Sequence, residues 1–384
     1  MLNSLKIKRY RNLKELQIDS LGRVNLITGK NNTGKSTLLE AVAIHAAKGN
    51  LGLMYQLLVE HGEMSDLNSD NIDSTETNCK VLSSLFNERR IGFNSVDAIE
   101  INASVNRSSV NMEADKNTLL NDAVSLRFVK YVIEKQKDEQ GNEFSKRKTI
   151  DVNSETIDDF KIGFEIKSEN DAIVVSLAGD ALRRRFSFAN INRVNNDVSC
   201  SFVRSRNVSK NNNGDLFDKI VMSSREQYVI EALKIIEPFV EKIAFVGNNR
   251  TERSAIINLS GPQQRLPLQS MGDGINRILT IILALVNADN GYLLIDEFEN
   301  GLHYGVQEKL WEIIFKLSKE LNVQVFVTTH SNDCIKGFEA VLNRQENLSD
   351  GKYIRLENEN GIIGQVEYSA NELKIANNKH IETR

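Results

Sequence analysis

The sequence has few of the residues that rigidify, cross-link or anchor a chain. Its 384 residues include three prolines, one tryptophan and three cysteines. Cys79, Cys200 and Cys334 lie far apart and lack the spacing of metal ligands, so neither a disulfide framework nor a zinc site is expected. The longest apolar run, Ile278 to Ala288, is interrupted by polar residues and is shorter than the roughly 20 residues of a membrane span.

No charge of one sign dominates the chain. Its formal net charge is -4, with 40% hydrophobic and 26% charged residues, which is typical of a globular protein. Binding to nucleic acid is therefore not indicated by overall charge and would need a local basic face. The first residues lack the apolar core of a signal peptide, so we expect a cytoplasmic protein without a membrane partner.

Changes of pattern indicate an α/β fold in several segments. Residues 1–49 contain a strand, a glycine turn and an apolar helix, and short alternating runs between 98 and 188 favour antiparallel strands. After residue 270, helices alternate with buried strands. We expect this last part to complete a parallel sheet with the first 49 residues.

The segment Gly29 to Ser36 matches the P-loop pattern, and it lies between a predicted strand and a predicted helix. Glycines let backbone N–H groups fold around phosphate oxygens, and the helix N-terminus favours negative charge. We expect Lys35 to contact the phosphates and Ser36 to ligate Mg²⁺. A flexible Gly-Lys turn without a ligand is the alternative. The predicted nucleotide contacts here are Gly29, Asn31, Asn32, Thr33, Gly34, Lys35, Ser36 and Thr37.

An acidic pair, Asp296 and Glu297, follows the apolar run that begins at Tyr292. Such pairs are common on surfaces, but beside a P-loop they are expected to act on the nucleotide. Asp296 is the predicted partner of the metal ion, and Glu297 the base that polarises the attacking water.

Two further segments are placed to meet the γ-phosphate. His330 follows a buried strand, so its ring is expected at the carboxyl edge of the sheet, where ligands of open α/β sheets bind. Ser270 and Gly272 open another helix, whose N-terminus attracts anions. One chain cannot easily aim both helix ends at one phosphate. We therefore expect two protomers packed head to tail, although a simple Ser/Gly helix cap is the alternative.

In the order of these motifs the chain resembles ABC ATPases of the SMC, RecF and overcoming-lysogenisation-defect group. The resemblance extends to the opening Arg9-Tyr-Arg-Asn-Leu, to Phe202-Val-Arg-Ser-Arg, and to the D-loop-like segment Glu299 to His303. It spans both ends of the chain and is weaker over residues 50–195. The D-loop-like segment adds Asn300 to the expected nucleotide contacts.

The resemblance implies a P-loop ABC ATPase head with a mainly parallel core sheet, an antiparallel β lobe and an inserted α/β middle segment. The N-terminal part of the head would be 1–95, the strand-rich lobe 96–195 and the C-terminal part 196–384. The implied catalytic residues are Lys35, Glu297 and His330. The implied cofactors are ATP and Mg²⁺, and the implied assembly is an ATP-dependent homodimer or a higher oligomer.

Three functions fit this ATPase. Only 54 residues follow His330, and they contain no Asp-x-Asp motif, so we expect a separate effector, often a Toprim-type nuclease in the resembling group, in bacterial anti-phage defence. The alternative is a DNA-repair ATPase that binds DNA directly. The third is a nucleotide sensor with negligible turnover. The basic residues for DNA contact, which could equally form a solvated face, are Lys6, Lys8, Arg9, Arg11, Lys14 and Arg183 to Arg185.

Overall fold

The chain folds into three β-sheets flanked by helices. The computed structural model describes residues 1–64, 75–106, 119–137, 143–150, 159–169, 171–180, 182, 184, 199–205, 210–247, 253–261, 264–379 and 381–383. The strands are β1 Leu2–Tyr10, β2 Leu13–Ile18, β3 Val24–Gly29, β4 Ile99–Asn106, β5 Leu119–Lys137, β6 Glu143–Ile150, β7 Lys161–Ser168, β8 Asp171–Ser176, β9 Cys200–Val203, β10 Val240–Val246, β11 Ser254–Leu259, β12 Gln264–Pro267, β13 Tyr292–Ile295, β14 Gln324–Thr328, β15 Gly351–Glu359 and β16 Ile362–Tyr368.

The α-helices of the described residues lie mostly on the sheet faces. They are α1 Lys35–Ala46, α2 Leu51–Glu60, α3 Thr75–Ser83, α4 Lys210–Asp218, α5 Glu226–Leu233, α6 Asp273–Asn287, α7 Tyr304–Glu320, α8 Asn332–Leu342 and α9 Ala370–Asn378. In the part of the chain that the structure describes, no helix combines the length and the apolar character needed to cross a bilayer.

The six-stranded sheet carries the P-loop segment, and its order is β16-β15-β3-β14-β13-β9. Neighbours from β15 to β9 pair in parallel, and β16 pairs antiparallel at the edge. Its central strands are buried on both faces. Leu293 and Ile295 of β13 face one hydrophobic core, whereas Leu294 faces the other. This double burial explains why these strands are continuous apolar runs.

The seven-stranded sheet is antiparallel throughout and has the order β2-β1-β4-β5-β7-β8, with β6 on β5. The fold class is thus mixed α/β, and the expectation of a mainly parallel core sheet does not describe this largest sheet.

The predicted place of the first strand in the parallel sheet is also wrong, because Ile7 of β1 pairs with Ile101 of β4. Its alternating burial, with Leu5 and Ile7 buried and Lys6 half-buried, is typical of a sheet with one wet face. The third sheet, β10-β11-β12, is antiparallel.

Candidate nucleotide site

The loop between β3 and α1 has the strained backbone of a phosphate cradle. Gly29, Asn32 and Gly34 have φ angles of 141°, 62° and 85°. A Cβ at Gly29 would lie 2.5 Å from the carbonyl oxygen of Leu356, and one at Gly34 would lie 2.8 Å from Leu13 Cδ2. Both glycines are therefore required by conformation and by space. Asn31 and Asn32 are exposed on the outer side of the loop.

Lys35 points back over this loop. Its Nζ donates to the carbonyl oxygens of Gly29 at 2.7 Å and Lys30 at 2.8 Å. Burial lowers the pKa of Lys35 to about 8, although nearby carboxylates, chiefly that of Asp296, act to raise it. The ammonium is thus desolvated and held by carbonyl dipoles, so a phosphate would be a better partner for it.

The first turn of α1 fits an anion. The helix starts at Lys35, has no side-chain cap and no acidic residue in its first turn. Its leading N–H groups therefore lack a side-chain partner and carry the positive end of the helix dipole. Ser36 is exposed and Thr37 half-buried in this turn, while the hydroxyl of Thr33 donates to the Lys30 carbonyl oxygen at 2.8 Å.

Asp296 connects the acidic pair to the P-loop. The Ser36 hydroxyl donates to its carboxylate at 2.9 and 3.1 Å, and the Thr328 hydroxyl donates to it at 2.6 Å. A hydroxyl beside a carboxylate suits Mg²⁺, which prefers oxygen ligands. Among the described residues no group of three His, Cys, Asp or Glu side chains could hold a metal. The Ser36 hydroxyl and the Asp296 carboxylate fit a magnesium ion that would keep water and phosphate oxygens as its other ligands.

Glu297 is held by its backbone in an uncommon conformation. Its φ is 50°, and its N–H donates to Thr328 Oγ1 at 2.9 Å. Arg277, a buried residue of α6, donates from Nη2 to the carbonyl oxygens of Asp296 at 2.8 Å and Glu297 at 3.0 Å. A third bond runs from Nη1 to the carbonyl oxygen of Arg204 at 2.8 Å. The acidic pair is therefore fixed from two sides, while the half-buried Glu297 carboxylate stays accessible.

His330 lies at the carboxyl end of β14, as the sequence predicts. Its N–H donates to Glu299 Oε1 at 2.8 Å, and the neighbouring Thr329 hydroxyl donates to Glu299 Oε2 at 2.7 Å. Partial burial, followed by the charge of Lys35, lowers the pKa of the His330 ring. The ring is thus neutral near pH 7 and close enough to Lys35 to respond to its charge.

Ser270 and Gly272 lie apart from this group, whereas the backbone N–H of Asn300 donates to the carbonyl oxygen of Glu297 at 3.1 Å. Ser270 and Gly272 are exposed at the entry to α6, where Gly272 has a φ of 92° and the helix has no side-chain cap. The Ser270 hydroxyl donates to the Pro267 carbonyl oxygen at 2.7 Å, and the Asn300 amide to that of Ser205 at 2.9 Å. No hydrogen bond among the described residues joins these three to the P-loop.

Sequence reasoning missed three supporting residues, namely Arg277, Thr328 and Glu299. Each acts through contacts with residues distant along the chain, which a motif does not show. One signal was available, because Glu299 belongs to the D-loop-like segment and Thr328 ends the strand that precedes His330.

The basic residues proposed for DNA contact are partly neutralised by neighbours. Lys6 pairs with Glu15 at 3.0 Å, and Lys8 pairs with Glu100 at 3.2 Å. Arg11 is half-buried and bonds to the buried carboxylate of Glu40 at 3.0 Å. These three side chains are thus poor candidates for binding phosphate.

The second basic cluster is described only at Arg184, which pairs with Asp180 at 2.5 Å. Arg183 and Arg185 lie outside the described residues.

Comparison with known proteins gives a family and several relatives. A family model described as AAA ATPase domain matches residues 1–335. An ATP/GTP phosphatase of Helicobacter pylori is 23% identical over 363 residues, which cover 90% of each chain. A DNA replication and repair protein RecF of Oenococcus oeni is 51% identical over 43 residues, 11% of this chain and 12% of RecF.

Solved structures of SMC heads share the fold. One, bound to the C-winged helix domain of ScpA, has a TM-score of 0.51 at 12% identity and covers 96% of this chain and 98% of its own. Another, with an extended coiled coil and bound to the C-terminal domain of ScpA derived from Pyrococcus furiosus, has a TM-score of 0.50 at 10% identity and covers 99% of each chain. At these identities the similarity shows the fold alone.

Proposed function

The chain belongs to the AAA ATPase domain family, and on this basis we propose that it works as an ATP-gated homodimer that controls a separate effector. The family model covers residues 1–335 of 384, and the fold is that of an SMC head. The chain is an ABC-type ATPase of the SMC and RecF group, and ATP hydrolysis is its reaction. Dimerisation and control of an effector go beyond that reaction.

We assign the chemistry to the residues around the cradle. Lys35 and the first turn of α1 bind the phosphates, and Ser36 with Asp296 would hold a magnesium ion. When bound, that ion neutralises phosphate charge. Glu297 orients the attacking water and accepts its proton, because its carboxylate lies beside the site and its backbone is fixed. The neutral His330 ring donates a hydrogen bond to the terminal phosphate.

The proposed dimer rests on one observation: within one chain, the P-loop cradle and the entry to α6 are two separate segments that would each form half of a nucleotide site. The cradle and the acidic pair lie in direct contact through Ser36 and Asp296. The serine-led entry to α6 is exposed and uncapped, without a described bond to that cradle. Two copies packed head to tail would let Ser270 and Gly272 of each meet the nucleotide of the other, with Asn300 nearby. Such a contact buries identical patches around a two-fold axis.

The first test uses Glu297→Gln, which keeps the shape of the side chain but cannot take a proton from water. We expect normal ATP affinity, loss of hydrolysis and an ATP-dependent dimer visible by light scattering. Glu346→Gln, at an exposed position of α8's C-terminal loop, is the matched control and should behave as the unmodified protein. Turnover at the normal rate by Glu297→Gln would remove Glu297 from its assigned role.

The second test distinguishes a site shared between chains from a site within one chain. Ser270→Arg and Lys35→Ala should each abolish turnover. A head-to-tail dimer of the two variants has one intact shared site, so an equal mixture should recover about a quarter of the activity. A mixture that stays inactive would contradict the shared site.

A separate effector is the simplest output for this ATPase. After His330 the described residues form α8, β15, β16 and α9, whose buried apolar side chains belong to the core of the head. We propose that the effector is a nuclease used in anti-phage defence in the cytoplasm. Affinity capture from native cells, with ATP and with a non-hydrolysable analogue, tests this. An effector should be retained in one nucleotide state and released in the other.

The second candidate function is DNA repair, with direct DNA binding. It is favoured by the local similarity to a DNA replication and repair protein RecF. DNA-stimulated ATP hydrolysis in the absence of any other protein would support this function over control of a nuclease.

A further inference from the structure

A two-stranded ribbon extends from the seven-stranded sheet. It consists of residues 130–137 of β5 paired with residues 143–150 of β6, from Lys130↔Ile150 to Lys137↔Glu143. The last residue of β5 that pairs with β7 is Tyr131. From Val132 to Lys137, β5 therefore has β6 as its one partner among the described strands. Eight residue pairs give a length of about 25 Å.

The ribbon is basic, although the chain is acidic. It carries six cations and two carboxylates, a net charge of +4, whereas the whole chain has a net charge of -4. The remaining residues thus carry -8, so a local basic arm projects from an acidic body. The charged residues of the ribbon are Lys130, Lys135, Lys137, Lys146, Arg147, Lys148, Glu134 and Glu143.

Two of these cations keep their charge available for a partner. The two carboxylates are used by Lys148, which bonds to Glu134 at 2.8 Å, and by Lys137, whose Nζ is 3.6 Å from Glu143. Of the other four, Lys130 has its Nζ over the ring of Phe160 at 4.2 Å, and Arg147 donates to the carbonyl oxygen of Val174 at 2.9 Å. Among the described contacts, neither of the exposed lysines at 135 and 146 has an ion pair.

The two exposed lysines lie on opposite faces. Lys146 is the cross-strand partner of Glu134, and Lys135 is the partner of Ser145. Because successive residues of a strand point to opposite faces, charge is present on both sides of the ribbon. Between them, Ile133 is half exposed opposite Arg147. An isolated two-stranded hairpin gains little stability of its own. Packing within the ribbon therefore does not account for Ile133, whose apolar side chain stays exposed.

We propose that this ribbon is an arm that binds double-stranded DNA. The major groove of B-form DNA is about 12 Å wide and admits a two-stranded ribbon, with phosphates along both walls. Cations on both faces can neutralise both walls, and the exposed isoleucine can contact thymine methyl groups. The major groove of an A-form RNA duplex is deep and too narrow for side chains to read, so RNA fits less well. The residues between the two strands in the sequence include Asp138 and Glu139, so the contact is assigned to the paired residues of the ribbon.

The test measures how DNA affinity depends on salt. Each neutralised phosphate contributes about -0.9 to the slope of log affinity against log salt, so the two exposed lysines without a described ion pair predict a slope of about -1.8. The variant with Lys135→Gln and Lys146→Gln should make the slope about 1.8 less negative, bringing it close to zero, and should weaken binding about 30-fold near 0.15 M salt. The probe is a labelled duplex of mixed sequence about two helical turns long, followed by fluorescence anisotropy with and without ATP.

A matched control removes two exposed strand lysines outside the ribbon, Lys167→Gln and Lys242→Gln, and should keep the original slope. Both variants should retain ATP hydrolysis without DNA, which verifies their folding. The proposal is overturned if the protein does not bind the duplex at low salt in either nucleotide state. It is also overturned if the two variants lose affinity equally, or if an RNA duplex binds as tightly. None of these outcomes affects the shared ATP site, which is tested by the Ser270 and Lys35 variants.

Discussion

ATP affinity should fall as the pH rises through the pKa of Lys35. In the free protein, burial lowers this pKa to about 8, with carboxylates such as Asp296 acting in the opposite direction. A bound triphosphate places negative charge against the ammonium and raises its pKa. In the free protein, Lys35 is therefore fully charged well below pH 8 and loses its charge above it. Binding must then take up a proton, which costs affinity at alkaline pH.

The size of the effect follows from the titration of one group. With a pKa of about 8, roughly nine tenths of free Lys35 is charged at about pH 7 and one tenth at about pH 9. If the charged form binds, affinity is about tenfold weaker at the higher pH. About half a proton is taken up near pH 8, and about nine tenths near pH 9.

Titration calorimetry in two buffers with different ionisation enthalpies measures both quantities. The terminal phosphate of ATP does not interfere, because a second phosphate pKa of about 6 leaves it ionised at these pH values. Lys30→Gln is the matched control, since Lys30 belongs to the same loop but is exposed, and it should keep the pH profile. An affinity that stays constant between about pH 7 and 9, without proton uptake, would refute the proposed contact between Lys35 and phosphate.

Three substitutions test the supports of the site and of the core. Arg277→Lys replaces a fork that spans three carbonyls, so kcat should fall about 100-fold with little change in KM, as steady-state kinetics will show. Gly34→Ala forces a φ of 85° and a contact with Leu13, and should cost about 1–3 kcal/mol in urea unfolding. Trp311→Ala removes a fully buried ring stacked on Phe298 at 4.4 Å and should cost about 3–5 kcal/mol.

Each substitution has a control of the same chemistry. Arg265→Lys, at an exposed position, should leave kcat unchanged. Gly364→Ala meets open space and should change unfolding by less than about 0.5 kcal/mol. Phe239→Ala, at a side chain that is 62% exposed, should likewise have a small effect. Equal losses in a substitution and its control would contradict the structural reason given for it.

The parts of the site that follow a local pattern could be predicted from the sequence. The P-loop lies between β3 and α1 as its spacing requires, because glycine, lysine and serine there perform tasks set by adjacent backbone. Asp296 and His330 lie at strand ends, as predicted. The roles of these residues in binding and catalysis stay predictions.

What the sequence could not show depends on contacts between distant segments. Arg277 sits in a helix that reads as an ordinary amphipathic segment, and its bonds to the acidic pair depend on how α6 packs on β13. The sheet joined by β1 was predicted wrongly because the chain enters the seven-stranded sheet first and crosses to the six-stranded sheet afterwards. Its alternation of buried and half-buried residues was the available signal, but the closeness of Leu13 to Gly34 could not be inferred from it.

The carboxylate of Glu299 has a consequence for how the two copies would communicate. It accepts hydrogen bonds from the His330 N–H and from the Thr329 hydroxyl. The next residue, Asn300, is exposed on the face assigned to the second copy. A displacement of Asn300 by the second copy would thus also move Glu299 and, through its hydrogen bonds, the residues at the end of β14. Contact of a second subunit with Asn300 would therefore bear on the two hydrogen bonds that already hold Thr329 and His330 in the single chain.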